Sequence, residues 1–158
     1  MTTSEYAAHQ RERSEVPRAL SVDQKCSGLR LVSLSACESQ PLAYDLVRNG
    51  IPKVIAWRSL VNDDAATIFA TEFFHKLLDT SYTDTTVDVE RAFKLAEVAV
   101  EGYTVIRVGR SATQTRAEAK FELVDPMDHT QVDLHTGKTK NGRQAAGVPV
   151  FLQACSRC

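Results

Sequence analysis

Two hydrophobic periods divide this chain of 158 residues into an early strand–helix–strand unit and a later helical pair. The runs "LRLVSLS" (29–35) and "PKVIAW" (52–57) are short, nearly continuous in apolar character and bounded by turn residues, so both are predicted as buried strands. Between them, Ser39 and Pro41 offer an N-cap and a first-turn proline, which predicts a short helix through "PLAYDLVRN". Gly50 stands where a helix C-terminus favours glycine. A strand, a helix and a strand in this order imply a parallel crossover.

The period then changes to that of helices. In "NDDAATIFATEFFHKLLD" (62–79), Asn62 is the expected cap, and Asp63 and Asp64 sit where the helix dipole favours negative charge. Phe69, Phe73 and Leu77 recur every four residues, flanked by Ala70, Phe74 and Leu78, which predicts a wide inward face. After a threonine-rich turn (80–86), "VDVERAFKLAEVAVEG" carries a stripe of Val89, Phe93, Ala96 and Val100, with Gly102 expected to stop it. Further strands are expected in "YTVIRV" (103–108), "KFELVD" (120–125) and "GVPVFLQ" (147–153), and a long loop over 126–146. Residues 1–27 lack hydrophobic periodicity and are expected to form a mobile arm, and residues 154–158 a tail.

Composition narrows the function classes. Nineteen basic and 20 acidic side chains leave a net charge of −1, so no global field directs the chain to nucleic acid or to an anionic membrane. No apolar run approaches the ~18 residues of a membrane span. The opening "MTTSEYAAHQRERSEVPR" lacks the apolar core of a signal peptide, so a cytoplasmic, reducing setting is expected for Cys26, Cys37, Cys155 and Cys158. No cofactor is implied. "HTGKTKNG" (135–142) has Val132 where a phosphate-binding loop needs glycine. Cys155 and Cys158 have the spacing of half a zinc site or of a dithiol, and Cys26 with a histidine could supply the second zinc-ligand pair only by coincidence.

Cys37 is the residue whose place most needs explaining. A cysteine ending an apolar run is ordinarily packed and inert. At the carboxyl end of a parallel strand and near a helix N-terminus, however, a thiol stands where α/β sheets hold ligands and where backbone N–H groups favour the thiolate.

"LVSLSACES", followed by "LVRNGIPKVIAWRSLVNDDAATIFATEFFHKLL" and the helix with "AFKLA", resembles the CHAT domain family of caspase-like proteins. The likeness covers roughly residues 29–100, with a weaker echo in "FELVDP" and "AAGVPVFL". It implies an α/β fold, a caspase-like, mainly parallel sheet flanked by helices, spanning 28–153 and incomplete at its N-terminal side. It also implies peptide-bond hydrolysis by a Cys–His dyad, with Cys37 as nucleophile and Trp57, Asp63 and Asp64 at the substrate pocket. An acidic pocket would favour a basic side chain before the scissile bond. The base is harder to place. Caspase-type enzymes carry their histidine ~50 residues before the cysteine. Here the one upstream histidine is His9, 28 residues before Cys37 (37 − 9), with Gln10 where the family has glycine. His75, His129 and His135 read as surface residues. "FLQACSRC" is similar to a caspase signature at Cys155 but departs at Ser156 and Arg157. Two readings follow: a peptidase domain acting on a peptide or protein, or a non-catalytic module that binds proteins. In either, a partner chain or domain could complete the sheet.

Overall fold

The crossover expected from the first two apolar runs is present in the computed structural model, which describes residues 29–79, 88–107 and 117–154. In chain order the elements are β1 (Leu31–Ser33), α1 (Gln40–Arg48), β2 (Lys53–Trp57), α2 (Asp63–Leu78) and α3 (Val89–Gly102). They continue with β3 (Thr104–Arg107), β4 (Ala117–Glu122), β5 (Val132–Asp133), β6 (Lys138–Thr139), β7 (Gln144–Ala145) and β8 (Pro149–Gln153). The fold is therefore mixed α/β. The described residues group into two units, 29–56 with 150–154, and 57–149. No helix among them is long and apolar enough to cross a membrane.

In the first unit, β1 and β2 run parallel, with Leu31 beside Lys53 and Ser33 beside Ile55. The strand order is β1-β2-β8. Helix α1 buries Ala43 and Leu46 completely, in one cluster with Ile51, Val54 and Ala56. Each of the larger side chains contributes roughly 1.5–3 kcal/mol on leaving water. The end of α1 follows the sequence expectation closely. Gly50 takes φ 92°, a left-handed conformation that costs glycine nothing. Its N–H donates to the Val47 carbonyl at 3.1 Å, and the Ile51 N–H donates to the Leu46 carbonyl at 3.1 Å. This is a Schellman closure, and the Leu46–Ile51 pair supplies its usual apolar contact. The start of α1 differs from expectation. Ser39 occupies the cap position in a helical conformation, and its hydroxyl makes no capping bond.

The second unit is organised by aromatic rings. Trp57 meets Phe69 edge-on at 5.4 Å between centroids, and Phe93 of α3 meets Phe69 edge-on at 5.5 Å. Phe73 stacks beside Phe69 at 6.3 Å. Helix α2 is capped as expected, the Asn62 side chain accepting from the Asp64 N–H at 3.0 Å and the Ala65 N–H at 3.4 Å. Helix α3 is capped by Asp88, which accepts from the Arg91 N–H at 3.0 Å. The wide apolar face expected for α2 is narrower than the pattern suggested. Ala65, Phe69 and Phe73 are buried, but Phe74 is 43% and Leu78 72% exposed. At about 100° per residue, Phe74 turns away from the stripe that Phe69 and Phe73 share. Gly102 also departs from expectation: it ends α3 from within its last turn, and Tyr103 takes the cap position.

The second sheet has the order β3-β4-β7-β6-β5. Its pairings are antiparallel except for β4 with β7, which are parallel. The mainly parallel sheet expected is not what forms: β1 and β2 pair in parallel, but this second sheet is mixed. Besides the antiparallel β3–β4 pair, the reason lies in the 126–146 segment, expected to be a loop. It folds instead into three two-residue strands separated by turns. Strands so short show no periodicity. They are placed by side chains that bind nearby backbone: Asp125 accepts from the Met127 N–H, Asp128 from the Thr130 N–H and Asp133 from the His135 N–H, each at 2.9 Å. Hydrogen bonds from Thr130 and Gln131 hold the Asp128 carboxyl below its ordinary pKa, and those from His135 and Thr136 do the same for Asp133. Glu122 ties the segment back to β4, accepting from the Thr139 hydroxyl at 2.6 Å and from the Asn141 amide at 3.0 Å.

Candidate active site

The thiol that the apolar run suggested would be packed is in fact displayed. After β1 the chain leaves the sheet, and Ser35, Ala36, Cys37 and Glu38 are all exposed. Residues 37 and 38 form a turn that delivers the chain to Ser39 and the first residue of α1. Glu38 has φ 52°, unusual for a residue with a side chain and a local backbone strain of the kind that gathers at functional positions. The Leu34 N–H donates to the Ile55 carbonyl at 2.8 Å, extending the β1–β2 ladder to the residue before this turn. Cys37 is thus carried on a short exposed turn between a paired strand and a helix.

Trp57, Asp63 and Asp64 belong to the second unit. Trp57 is 2% exposed, its ring held by Phe69, so it acts as packing in the aromatic core. Asp63 is exposed and Asp64 half-buried in the first turn of α2. Their backbone serves the helix start: the Asp64 N–H donates to Asn62, and the Asp63 carbonyl accepts from the Thr67 hydroxyl at 2.9 Å. Both carboxylates stand at a helix end whose dipole favours their charge.

Two residues at this junction escaped sequence reasoning. Ser59 is buried, its hydroxyl donating to the Leu60 carbonyl at 2.9 Å and accepting from the Val148 N–H at 3.0 Å. Gly147, at φ 96°, runs so close to the 60–61 backbone that a Cβ would collide with the Leu60 carbonyl oxygen and stand 3.0 Å from Val61 Cα. Neither was legible beforehand. A serine after a strand and a glycine before Val-Pro carry no spacing signal of their own.

The histidines divide differently. His75, His129 and His135 are exposed. His9, the candidate base, lies outside the described residues, as do Cys26, Cys155, Cys158 and the expected arm. Among the described residues no group of three or more His, Cys, Asp or Glu side chains could hold a metal ion.

Comparison with known proteins adds one finding. The family model of the CHAT domain matches residues 7–122, well over half of the 158-residue chain. The match begins upstream of residue 29 and takes in His9 as well as Cys37, Trp57, Asp63 and Asp64. No curated protein and no solved structure matches the chain. With most of its length inside that model, including the displayed cysteine turn and the acidic start of α2, the chain belongs to the CHAT domain family of caspase-like, peptidase-related proteins.

Proposed function

We propose that this chain is a cysteine peptidase domain of CHAT type, with Cys37 as its nucleophile. The observation that carries the reading is the exposed Cys37 turn between β1 and α1, with strained Glu38 beside it. In this reading β1, α1 and β2 are part of a caspase-like core. His9 takes the thiol proton, and the Cys37 thiolate attacks the scissile carbonyl carbon. Backbone N–H groups after the strand stabilise the oxyanion. The C–N bond then breaks, the imidazolium returns the proton to the leaving amine, and water hydrolyses the thioester. Asp63 and Asp64 receive a basic side chain before the scissile bond, and Trp57 supports them from the core. The chain acts on a peptide or protein and uses no cofactor.

A second reading, a protein-binding module without catalysis, is favoured by apolar side chains left in water: Leu78 at 72% and Val98 at 68% exposure. One experiment separates the two. The full chain is treated with a peptide bearing a thiol-directed electrophile and with iodoacetamide, beside Cys37→Ala and His9→Ala. Peptidase chemistry predicts peptide labelling that disappears in Cys37→Ala and slows about 100-fold or more in His9→Ala. Labelling by iodoacetamide but not by the peptide assigns the chain to the binding reading.

A further inference from the structure

Two of the chain's three asparagines are followed by glycine, as Asn49–Gly50 and Asn141–Gly142. At such a pair the backbone attacks the asparagine side chain most readily, because glycine puts no Cβ in the way. The two pairs are alike in backbone and unlike in side chain. Gly50 and Gly142 are both left-handed, at φ 92° and 73°. Each donates its N–H to a carbonyl three residues earlier, Val47 at 3.1 Å and Thr139 at 2.8 Å. The Asn49 amide donates to the Asp45 backbone carbonyl at 2.7 Å. The Asn141 amide instead donates to a carboxylate, reaching Glu122 Oε1 at 3.0 Å and Oε2 at 3.3 Å. The same carboxylate accepts from the buried Thr139 hydroxyl at 2.6 Å, and that hydroxyl oxygen accepts from the Arg143 N–H at 3.3 Å. The Thr139 N–H closes the turn by donating to the Arg143 carbonyl at 2.8 Å. Residues 139–143, where β6 turns back into β7, are thus built around one acidic side chain from the end of β4.

We propose that Asn141–Gly142 is a site of spontaneous deamidation governed by Glu122, which delays the reaction beforehand and makes its product disruptive afterwards. In this reaction the Gly142 nitrogen bonds to the Asn141 side-chain carbonyl carbon and closes a succinimide. The bond from that carbon to Nδ2 breaks, and Nδ2 leaves as ammonia with the proton that the Gly142 N–H gives up. Water then opens the ring at either carbonyl, leaving aspartate or isoaspartate. Two contacts oppose the first step. The Gly142 N–H is held on the Thr139 carbonyl and the Asn141 amide on Glu122, so neither reacting group is free to turn toward the other. An ionised carboxylate only accepts hydrogen bonds, so Glu122 holds the amide without supplying a proton to the departing ammonia. After the reaction the interaction changes sign. A second carboxylate replaces the donor amide beside Glu122, and like charges repel. Isoaspartate also adds a carbon to the backbone of a turn closed by short hydrogen bonds. The modified turn therefore loses its tie to β4. Neither step involves Cys37, so the turn ages in this way whether or not the chain cleaves peptides.

The test incubates the full chain at neutral pH and follows both Asn–Gly pairs by peptide mapping, which reads the exchange of amide for acid by mass and separates aspartate from isoaspartate. In Glu122→Ala the rate at Asn141 is expected to rise about tenfold, the scale of a lost hydrogen bond to a charged group. In Glu122→Gln it should rise less, since a neutral acceptor bonds about half as strongly. Asn49 reports on the rest of the fold, and its rate should be unchanged in both variants. The product is tested in Asn141→Asp. There the Thr139, Gly142 and Arg143 N–H groups should exchange with solvent faster than in the wild type, and the effect should shrink when Glu122→Gln is added. An unchanged Asn141 rate in both Glu122 variants overturns the role of Glu122. Should Glu122→Ala loosen the whole chain, so that Asn49 accelerates equally, Glu122→Gln carries the comparison, and equal acceleration there overturns it too. Exchange in Asn141→Asp that is no faster, or is the same with and without Glu122→Gln, overturns the repulsion in the product.

Discussion

The chain makes two strand-to-helix junctions, one after β1 and one after β2, and they are built on opposite principles. The first is short and exposed: four successive residues in water, a left-handed glutamate, and a helix that begins without a capping bond from its serine. The second is crowded with restraints: a buried serine bonded on both sides, an asparagine cap, and a strap of distant backbone too close for a side chain. The contrast separates two demands on a site. Under the proposed peptidase reading, the turn open to water is the one that carries the nucleophile. Under the same reading, the turn that would select by charge is the one held in place, and a charge interaction weakens as its partners wander.

This contrast can be broken by experiment. The largest effect is expected in the aromatic core behind the second junction. Phe73→Ala removes a fully buried ring that packs on Phe69 and Phe74, and unfolding in denaturant should show a loss of about 3–5 kcal/mol. A loss below 1 kcal/mol would mean that this core does not support the junction. Asn62→Ala should cost about 1 kcal/mol by the same measurement, the usual scale of a helix cap. A neutral result there would remove the distinction between the two helix starts. At the first junction the sign should reverse. Glu38→Gly relieves a left-handed residue and is expected to stabilise the chain by about 0.5 kcal/mol. Destabilisation would show that the Glu38 side chain, not the backbone, matters at the cysteine turn.

The smallest effect is expected at neither junction but in the turns that fix the strap's surroundings. Because hydrogen bonds hold the Asp128 and Asp133 carboxyls below their ordinary pKa, protonation favours the unfolded chain. Their support is complete above the ordinary carboxylate value, declines as pH falls below it, and is gone once pH passes below the folded values. Proton titration followed by nuclear magnetic resonance should place both midpoints under those of an unfolded aspartate. Midpoints at the ordinary value would show that the turns do not depend on charge.

Much of the first unit was readable from its residues, and the reason is local. Gly50 and Ile51 end α1 through bonds to the nearby Val47 and Leu46 carbonyls, and in the second unit Asn62 caps α2 through the next three residues. Information of that range is written in neighbouring side chains. The inward stripe of α3 was equally plain, since Val89, Phe93, Ala96 and Val100 share one face. What escaped was set by distance along the chain. The exposure of Phe74 depends on which side of α2 the other helix covers, and the helical period cannot say that. The two-residue strands between 126 and 146 have no period to read, and their placement depends on Glu122 receiving Thr139 and Asn141. For the site, the cysteine and the acidic turn were visible as motifs. The exposure of Cys37 was not, because it follows from packing that residue type alone leaves open.

The bond between Val148 and Ser59 joins residues 89 positions apart. During synthesis that separation becomes an interval of time. Helices α2 and α3 are neighbours in the chain and can pack as soon as they emerge, at a small cost in loop closure. The junction that precedes them must wait until residues 146–148 have left the ribosome. The acidic turn is therefore among the first parts of this unit to be made and among the last to be fixed in place.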